Sequence, residues 1–244
     1  MNRRVLLLGI ASFAAAVVCA RLGVWQLDRL RERRVKNALV LARGAVAPLT
    51  MRALIDQDTS ATHWRRVIVR GVADYESEVV QTSRSQAGAP GVYLLTPVRP
   101  LGSGWGDTAL LLLRGYLYSS DARTVDLVHA REGDTINIDA LVTAFPPPRV
   151  GAVRSPSSRR AIRLLDRDTL MAMMGRPLAP VVLLALGDTT PRDVSRPTRV
   201  PPPSPGEGPH KSYALQWFSF AAVFVTGFLA FARNGTRSAR DPEG

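Results

Sequence analysis

Two long apolar runs, one near each end of the chain, constrain what it can fold into more than any other feature. The first extends from Val5 to Ala20, is preceded by Arg3 and Arg4, and resumes after Arg21 through Leu22-Gly23-Val24-Trp25. From Val5 to Trp25 is 21 residues, about 30 Å of helix and the thickness of a hydrocarbon core. Arg21 stands close enough to the end of this run to snorkel, and Trp25 suits an interfacial belt. The second run, Tyr213 to Ala232, has no charged residue and ends at Arg233. Its apolar residues fall on every face, as a helix surrounded by lipid requires. A cleaved signal peptide is the rival reading of the first run, with Ala20 at the cleavage point. The second run favours a retained anchor.

These runs divide the 244 residues into an N-terminal tail (1–4), a first transmembrane helix (5–25), a large middle portion (26–209), a second transmembrane helix with its interfacial start (210–232) and a basic tail (233–244). The loop charges conflict over orientation. Arg233, Arg237 and Arg240 favour a cytoplasmic C-terminus, whereas Arg29, Arg31, Arg33, Arg34 and Lys36 after the first run outnumber Arg3 and Arg4 before it. Long domains translocate largely regardless of such charge. The expectation is therefore two cytoplasmic termini and an extracytoplasmic middle, in the cell (inner) membrane. The net charge of +12, nearly all of it from arginine, then fits an anionic lipid surface. No zinc-finger spacing or aromatic-interleaved basic strand points to nucleic acid. Cys19 is the single cysteine, so no intrachain disulfide can form, and Val18 before it argues against lipidation.

Leu27 to Ala42 reads as a helix continuing out of the membrane as a solvated stalk. Strand signals follow: Arg66–Arg70, Glu78–Thr82, Val92–Thr96 closed by Pro97, Ala109–Arg114, Thr135–Val142 and Pro180–Ala185, with a turn at Gly88-Ala89-Pro90-Gly91. A short helix over Thr169–Met174 is expected to open at Asp168 and stop at Gly175. Pro146-Pro147-Pro148 and the Ser/Arg stretch to Arg160 read as a loop, and Val200 to Pro205 as a stiff linker. The fold class is thus membrane-anchored α+β: two transmembrane helices flanking a β-rich, small-barrel or sandwich-like domain with one short helix.

Little in this sequence looks like catalytic machinery. His63, His129 and His210 are not at metal-ligand spacing from one another or from Cys19, and no nucleophile elbow, Walker-type loop or dinucleotide fingerprint occurs. Glu76 and Glu78 read as solvated residues beside a strand. His210 stands three residues before Tyr213 and seven before Trp217, on one helical face at the membrane boundary. An imidazole there could ligate a haem iron; it could equally be a polar interfacial residue beside Lys211.

Four patches in order resemble the surfeit-locus cytochrome c oxidase assembly factors (the Surfeit-one/Shy-one type). They are Leu22-Gly23-Val24-Trp25-Gln26-Leu27-Asp28-Arg29; Arg65-Arg66-Val67-Ile68-Val69-Arg70-Gly71 with Gly91 to Pro97; Leu111-Leu112-Leu113-Arg114-Gly115-Tyr116; and His210-Lys211-Ser212-Tyr213-Ala214-Leu215-Gln216-Trp217-Phe218. The segment Leu165 to Gly175 also fits the family's short Asp-rich helix. Gly208, Lys211, Gln216 and Leu113 depart from the family pattern, Gly208 standing where an Asn is usual. The resemblance implies a non-enzymatic chaperone that helps mature the catalytic subunit of a haem-copper oxidase. It implies haem a as cofactor, with His210 as the iron ligand, Tyr213, Trp217, Trp25 and Arg29 around it, and Arg29 meeting a propionate. It also implies partner docking through Gln26, Arg114, Gly115 and Tyr116, with the oxidase subunit and a haem a synthesis protein as partners. A cofactor-free scaffold for another envelope complex is the competing reading. A tethered enzyme using Arg114 with His129 or His63 is a third.

Overall fold

The computed structural model describes residues 3–147, 153–155, 158–190, 193, 195–203 and 205–238. Pro148, Ser204 and Arg240, assigned above to the loop, linker and tail, lie outside the described residues. The chain forms two compact units, residues 1–41 with 205–244 and residues 42–204.

The first element, α1 (Arg3–Ala45), is a single helix of 43 residues. Nothing in this stretch interrupts it, since proline is absent and its polar half is laced by the i,i+3 pairs Arg29–Glu32 (2.8 Å) and Arg31–Asp28 (3.1 Å). The apolar run and the expected stalk are thus one helix. Two single-turn helices follow, α2 (Ala53–Asp56) and α3 (Thr59–Thr62). The strands are β1 (Arg66–Ala73), β2 (Val79–Gln86), β3 (Ala89–Pro100), β4 (Ala109–Tyr118), β5 (Thr135–Ala144), β6 (Ala161–Ile162) and, after α4 (Arg167–Met174), β7 (Leu178–Ala185). The last element is α5 (His210–Ser238).

All seven strands join one sheet in the order β1-β5-β7-β4-β3-β2-β6, and an extra pairing of β1 with β3 closes five of them into a ring. Between the two expected alternatives the structure therefore takes the barrel. β3 makes closure possible by being long. Its first half pairs with β2 from Ala89 to Leu95, and its end pairs with β1, Gly71 opposite Pro100. A Cβ at Gly71 would sit 2.4 Å from the Arg99 carbonyl oxygen, so only glycine lets β1 and β3 come this close.

Several expected boundaries move, each for a local reason. Pro97 does not end β3 but lies within it opposite Leu111, where the other edge passes from β2 to β1; its carbonyl accepts the Asp74 N–H at 2.9 Å. A proline is tolerated at such a gap because no ladder bond is asked of its missing N–H. The β2–β3 turn is Ala87-Gly88, with φ of 50° and 83°, the positive pair that a two-residue hairpin favours; Ala89 to Gly91 are already strand. Helix α4 is capped by Asp166, which accepts from Thr169 N at 2.8 Å, and not by Asp168. Its stop is as expected, Gly175 being left-handed with φ 67°.

Inside the ring, Val67, Val69, Val98, Leu110, Leu112, Val142, Val181 and Leu183 form one buried cluster. The opposite faces of β4 and β7 present Leu111, Leu113, Val182 and Leu184 to a second cluster, covered by Leu170 and Met174 of α4. β4 is apolar at successive positions because both of its faces are covered.

Candidate functional site

In the helical unit, glycine on α1 meets an aromatic ring of α5 twice. A Cβ at Gly23 would lie 2.7 Å from the Phe218 ring, and one at Gly9 would lie 2.7 Å from that of Phe228. Small residues let apolar helices approach closely where no hydrophobic drive pulls them together. The segment before α5 is fastened to the polar half of α1. Arg34 grips Glu207 with two bonds (2.6 and 3.1 Å), Arg33 Nε donates to the Gly206 carbonyl (3.1 Å), and Asn37 donates to that of Pro205 (2.8 Å).

This packing brings His210, the first residue of α5, onto Gln26. His210 Nδ1 lies 2.9 Å from Gln26 Oε1. An amide oxygen accepts, so the contact is an Nδ1–H···Oε1 hydrogen bond and Nε2 is the ring nitrogen that it does not use. Gly208, just before, has φ 69°, and a Cβ there would be 3.6 Å from His210 Nε2. Glycine and asparagine are the residues that most readily adopt this left-handed backbone. The departure from Asn to Gly thus keeps the turn while placing no side chain from position 208 against Nε2. Lys211 and Gln216, two further departures, are exposed, whereas Leu113 packs in the second barrel cluster.

On α1, next to Gln26, the Arg29 guanidinium carbon is 5.6 Å from the centre of the Trp25 ring, and both side chains are about half exposed. Tyr213 is 47% exposed, and Trp217, half-buried, meets Phe220 edge-on at 5.9 Å. Of the expected residues, the structure therefore joins His210 to Gln26 and Trp25 to Arg29, with Tyr213 and Trp217 further along the His210 side of α5.

Arg114, Gly115 and Tyr116 have a different setting in the barrel unit. Arg114 is 1% exposed, too little to dock a partner directly. Its guanidinium donates to Glu78 Oε1 (2.8 Å) and Glu132 Oε2 (3.0 Å) and lies over the Tyr75 ring (5.2 Å). Burial opposes its charge, but Glu78 and Glu132 outweigh that and push its pKa above the ordinary value. Glu78, expected to be solvated, is fully buried. The signal for this pairing was an arginine directly after the apolar run of a strand covered on both faces, since such a charge needs a buried counter-charge. At Gly115 a Cβ would lie 2.7 Å from the Thr198 carbonyl oxygen, the strand segment bridged to Tyr116. The Tyr116 hydroxyl donates to the carbonyls of Ala89 and Pro90 (2.9 and 2.7 Å). All three residues hold the barrel wall together.

The two other histidines are accounted for locally. His63 stacks on Trp64 at 4.4 Å, and burial, helped by Arg43, lowers its pKa. His129 Nδ1 is 2.6 Å from Asp126 in a solvent-facing turn, while Arg114 is sealed inside. Among the described residues no group of three or more His, Cys, Asp or Glu side chains could hold a metal ion.

Both apolar helices are long and apolar enough to cross a membrane, over Val5–Ala45 and His210–Arg233. A search of curated proteins finds no match. The sequence profile of the SURF1 family matches residues 13–222, a span running from the first apolar helix through the barrel and the Gln26–His210 pair into the second, and the chain belongs to that family.

Proposed function

We propose that this chain is a two-pass membrane protein that assists the maturation of the catalytic subunit of cytochrome c oxidase by holding haem a at His210. The SURF1 family is associated with cytochrome c oxidase assembly, and two long apolar helices flanking a barrel suit a two-pass protein. In this reading residues 5–25 and 210–232 span the bilayer, 26–209 are extracytoplasmic, and 1–4 and 233–244 are cytoplasmic.

The observation that carries the haem reading is the 2.9 Å contact of His210 Nδ1 with Gln26 Oε1. Metal-binding histidines characteristically donate their second ring N–H to an oxygen, which fixes the tautomer and raises the basicity of the ligating nitrogen. Gln26 fills that role, and position 208 places no side chain against Nε2 in the way of a flat ligand. Arg29, over Trp25, would exchange its exposed partner Glu32 for a propionate. Haem bound here is cargo for the oxidase subunit, received from a haem a synthesis protein, so the chain needs no turnover of its own. Arg114, Gly115 and Tyr116 serve docking indirectly, by fixing the shape of the barrel.

The test is an optical spectrum of the detergent-purified protein, co-expressed with haem a synthesis, for wild type and His210→Ala. A haem band lost in the variant supports the reading. Equal spectra without haem leave a cofactor-free assembly scaffold.

A further inference from the structure

Strand β2 carries a bulge. Its register against β3 passes from Gln81 opposite Tyr93 to Arg84 opposite Gly91, so two residues of β2 stand against one of β3. Within the bulge Ser83 takes φ 59°, an uncommon backbone for a serine, and its N–H is held by the Ala122 carbonyl at 2.9 Å. Residues three apart on a regular strand point to opposite faces. The bulge instead turns Arg84 onto the face of Gln81, and both donate to one acceptor, the Arg163 carbonyl, at 2.8 Å from Arg84 Nη2 and 3.3 Å from Gln81 Nε2. Bulges re-aim side chains in this way beside functional sites.

The two side chains line a cavity of about 270 Å³ in the barrel unit, walled by Leu113, Leu164, Leu165 and Pro146, with Asp166 in its lining and Tyr93 under the Arg84 guanidinium at 5.9 Å. Drug-sized ligands occupy roughly 300–1,000 Å³, so this cavity is on the scale of a single side chain. Gln81 is 4% exposed, and among the described residues its Oε1 accepts no hydrogen bond. A buried amide oxygen in that position asks for a donor.

The charges narrow the choice of occupant. Arg84 disfavours a cationic group, while Asp166 and the Gln81 oxygen disfavour an anionic one. A neutral ring with a donor and no acceptor satisfies all three. Its N–H meets Gln81 Oε1, its π face meets the Arg84 guanidinium, and its hydrocarbon edge meets Leu113 and Pro146. Indole is that ring. We propose that this cavity seats a tryptophan side chain of a partner polypeptide, a docking site that does not rest on the haem reading. Tryptophan in a desolvated pocket is a common anchor of protein interfaces. The barrel thereby has a direct contact of its own, whereas Arg114, Gly115 and Tyr116 fix only its shape.

The experiment titrates the detergent-solubilised full chain with a capped glycine-flanked peptide carrying 5-fluorotryptophan, or its N1-methyl derivative, and follows fluorine NMR. Wild type is compared with Gln81→Met, which removes the acceptor at similar volume, and with Leu164→Trp, which fills the cavity from its own wall. N1-methylation is expected to weaken binding to wild type about tenfold or more, the scale of a lost buried hydrogen bond. On Gln81→Met the two peptides should bind alike, and Leu164→Trp should bind neither. Should Gln81→Met not fold, the methylation contrast on wild type and the loss in Leu164→Trp still decide. Equal binding of both peptides to wild type, undiminished binding to Leu164→Trp, or no binding to wild type overturns the site. Free 5-fluoroindole binding where the peptide does not overturns the docking reading in favour of a small-molecule pocket.

Discussion

Glu78 and Arg114 are joined at 2.8 Å with side chains 0% and 1% exposed. The ion pair is fully desolvated and welds the start of β2 to β4. Around it Thr96 Oγ1 donates to Glu78, while Glu132 receives both Arg114 and Arg199 (2.9 Å). Removing one member of such a pair costs about 3–5 kcal/mol, because a buried charge is left without its partner. Arg114→Met and Glu78→Leu are each expected to lower the thermal midpoint of the solubilised chain steeply. Making both changes together should recover much of the loss. A double variant as unstable as the sum of the singles would contradict this.

Barrel closure is predicted to depend on Gly71. Any side chain there meets the Arg99 carbonyl at 2.4 Å, so β1 must separate from β3. Gly71→Val is expected to destabilise by about 4 kcal/mol or more, the range reserved for core disruption. Limited proteolysis should show early cleavage in the segment from Gly71 to Ala73, whereas Gly44→Val, where no atom lies within 4 Å, should leave the barrel protected.

Gln26 is a positioning residue on the proposed function, and its replacement separates orientation from mere packing. Gln26→Leu keeps the volume but leaves Nδ1 without its acceptor; haem affinity is expected to fall 10–100-fold. Gln26→Glu retains an acceptor and strengthens it, so affinity should return while the ligand-field bands of the bound iron shift. If Leu and Glu behave alike, the hydrogen bond does not orient the ring.

Acid should loosen α4 in a residue-specific way. Hydrogen bonds from Thr169, side chain and backbone, hold the Asp166 carboxyl below the usual carboxylate range. A depressed folded-state pKa means that the cap contributes fully above the unfolded value, near 4, and is lost as pH falls through the lower folded value. Asp166→Asn keeps an uncharged cap and should flatten this dependence, and Asp166→Ala should lose about 1 kcal/mol at neutral pH. The check is the difference in thermal midpoint between wild type and Asp166→Asn, followed from pH 6 down to pH 2.5.

The two apolar runs and most of the strands were legible because their periodicities are local. Val67 and Val69 alternate into the ring, and the unbroken run of β4 announces burial on both faces. What could not be read was set by pairing across the chain. Pro97 ends a strand by local rules, yet it sits at the junction where β3 exchanges β2 for β1. The cap expected at Asp168 lies at Asp166 instead, where the backbone is extended and the carboxylate reaches Thr169 N. Two-residue β6 had no signal of its own, since it is defined by the parallel pairing of Ala161 and Ile162 with Val80 and Gln81. In the candidate site the sequence marked His210 and Gln26 separately, 184 positions apart. Their meeting was not readable, because it depends on how Gly23 and Phe218 set the distance between two helices.

The ring has a strict order of completion when the chain is made from its N-terminus. β3 and β4 form a hairpin early, and β1 reaches the end of β3 across the intervening β2. β5, however, reaches β4 only through β7, so the barrel stays an open sheet until Ala185 has been synthesised. Only 24 residues separate that point from His210. The wall therefore closes only shortly before the second apolar helix begins, and the nascent chain exposes an unsealed β-edge for most of its synthesis. A need for protection during synthesis is the expected consequence, and slow, long-range closure is the step at which that protection matters.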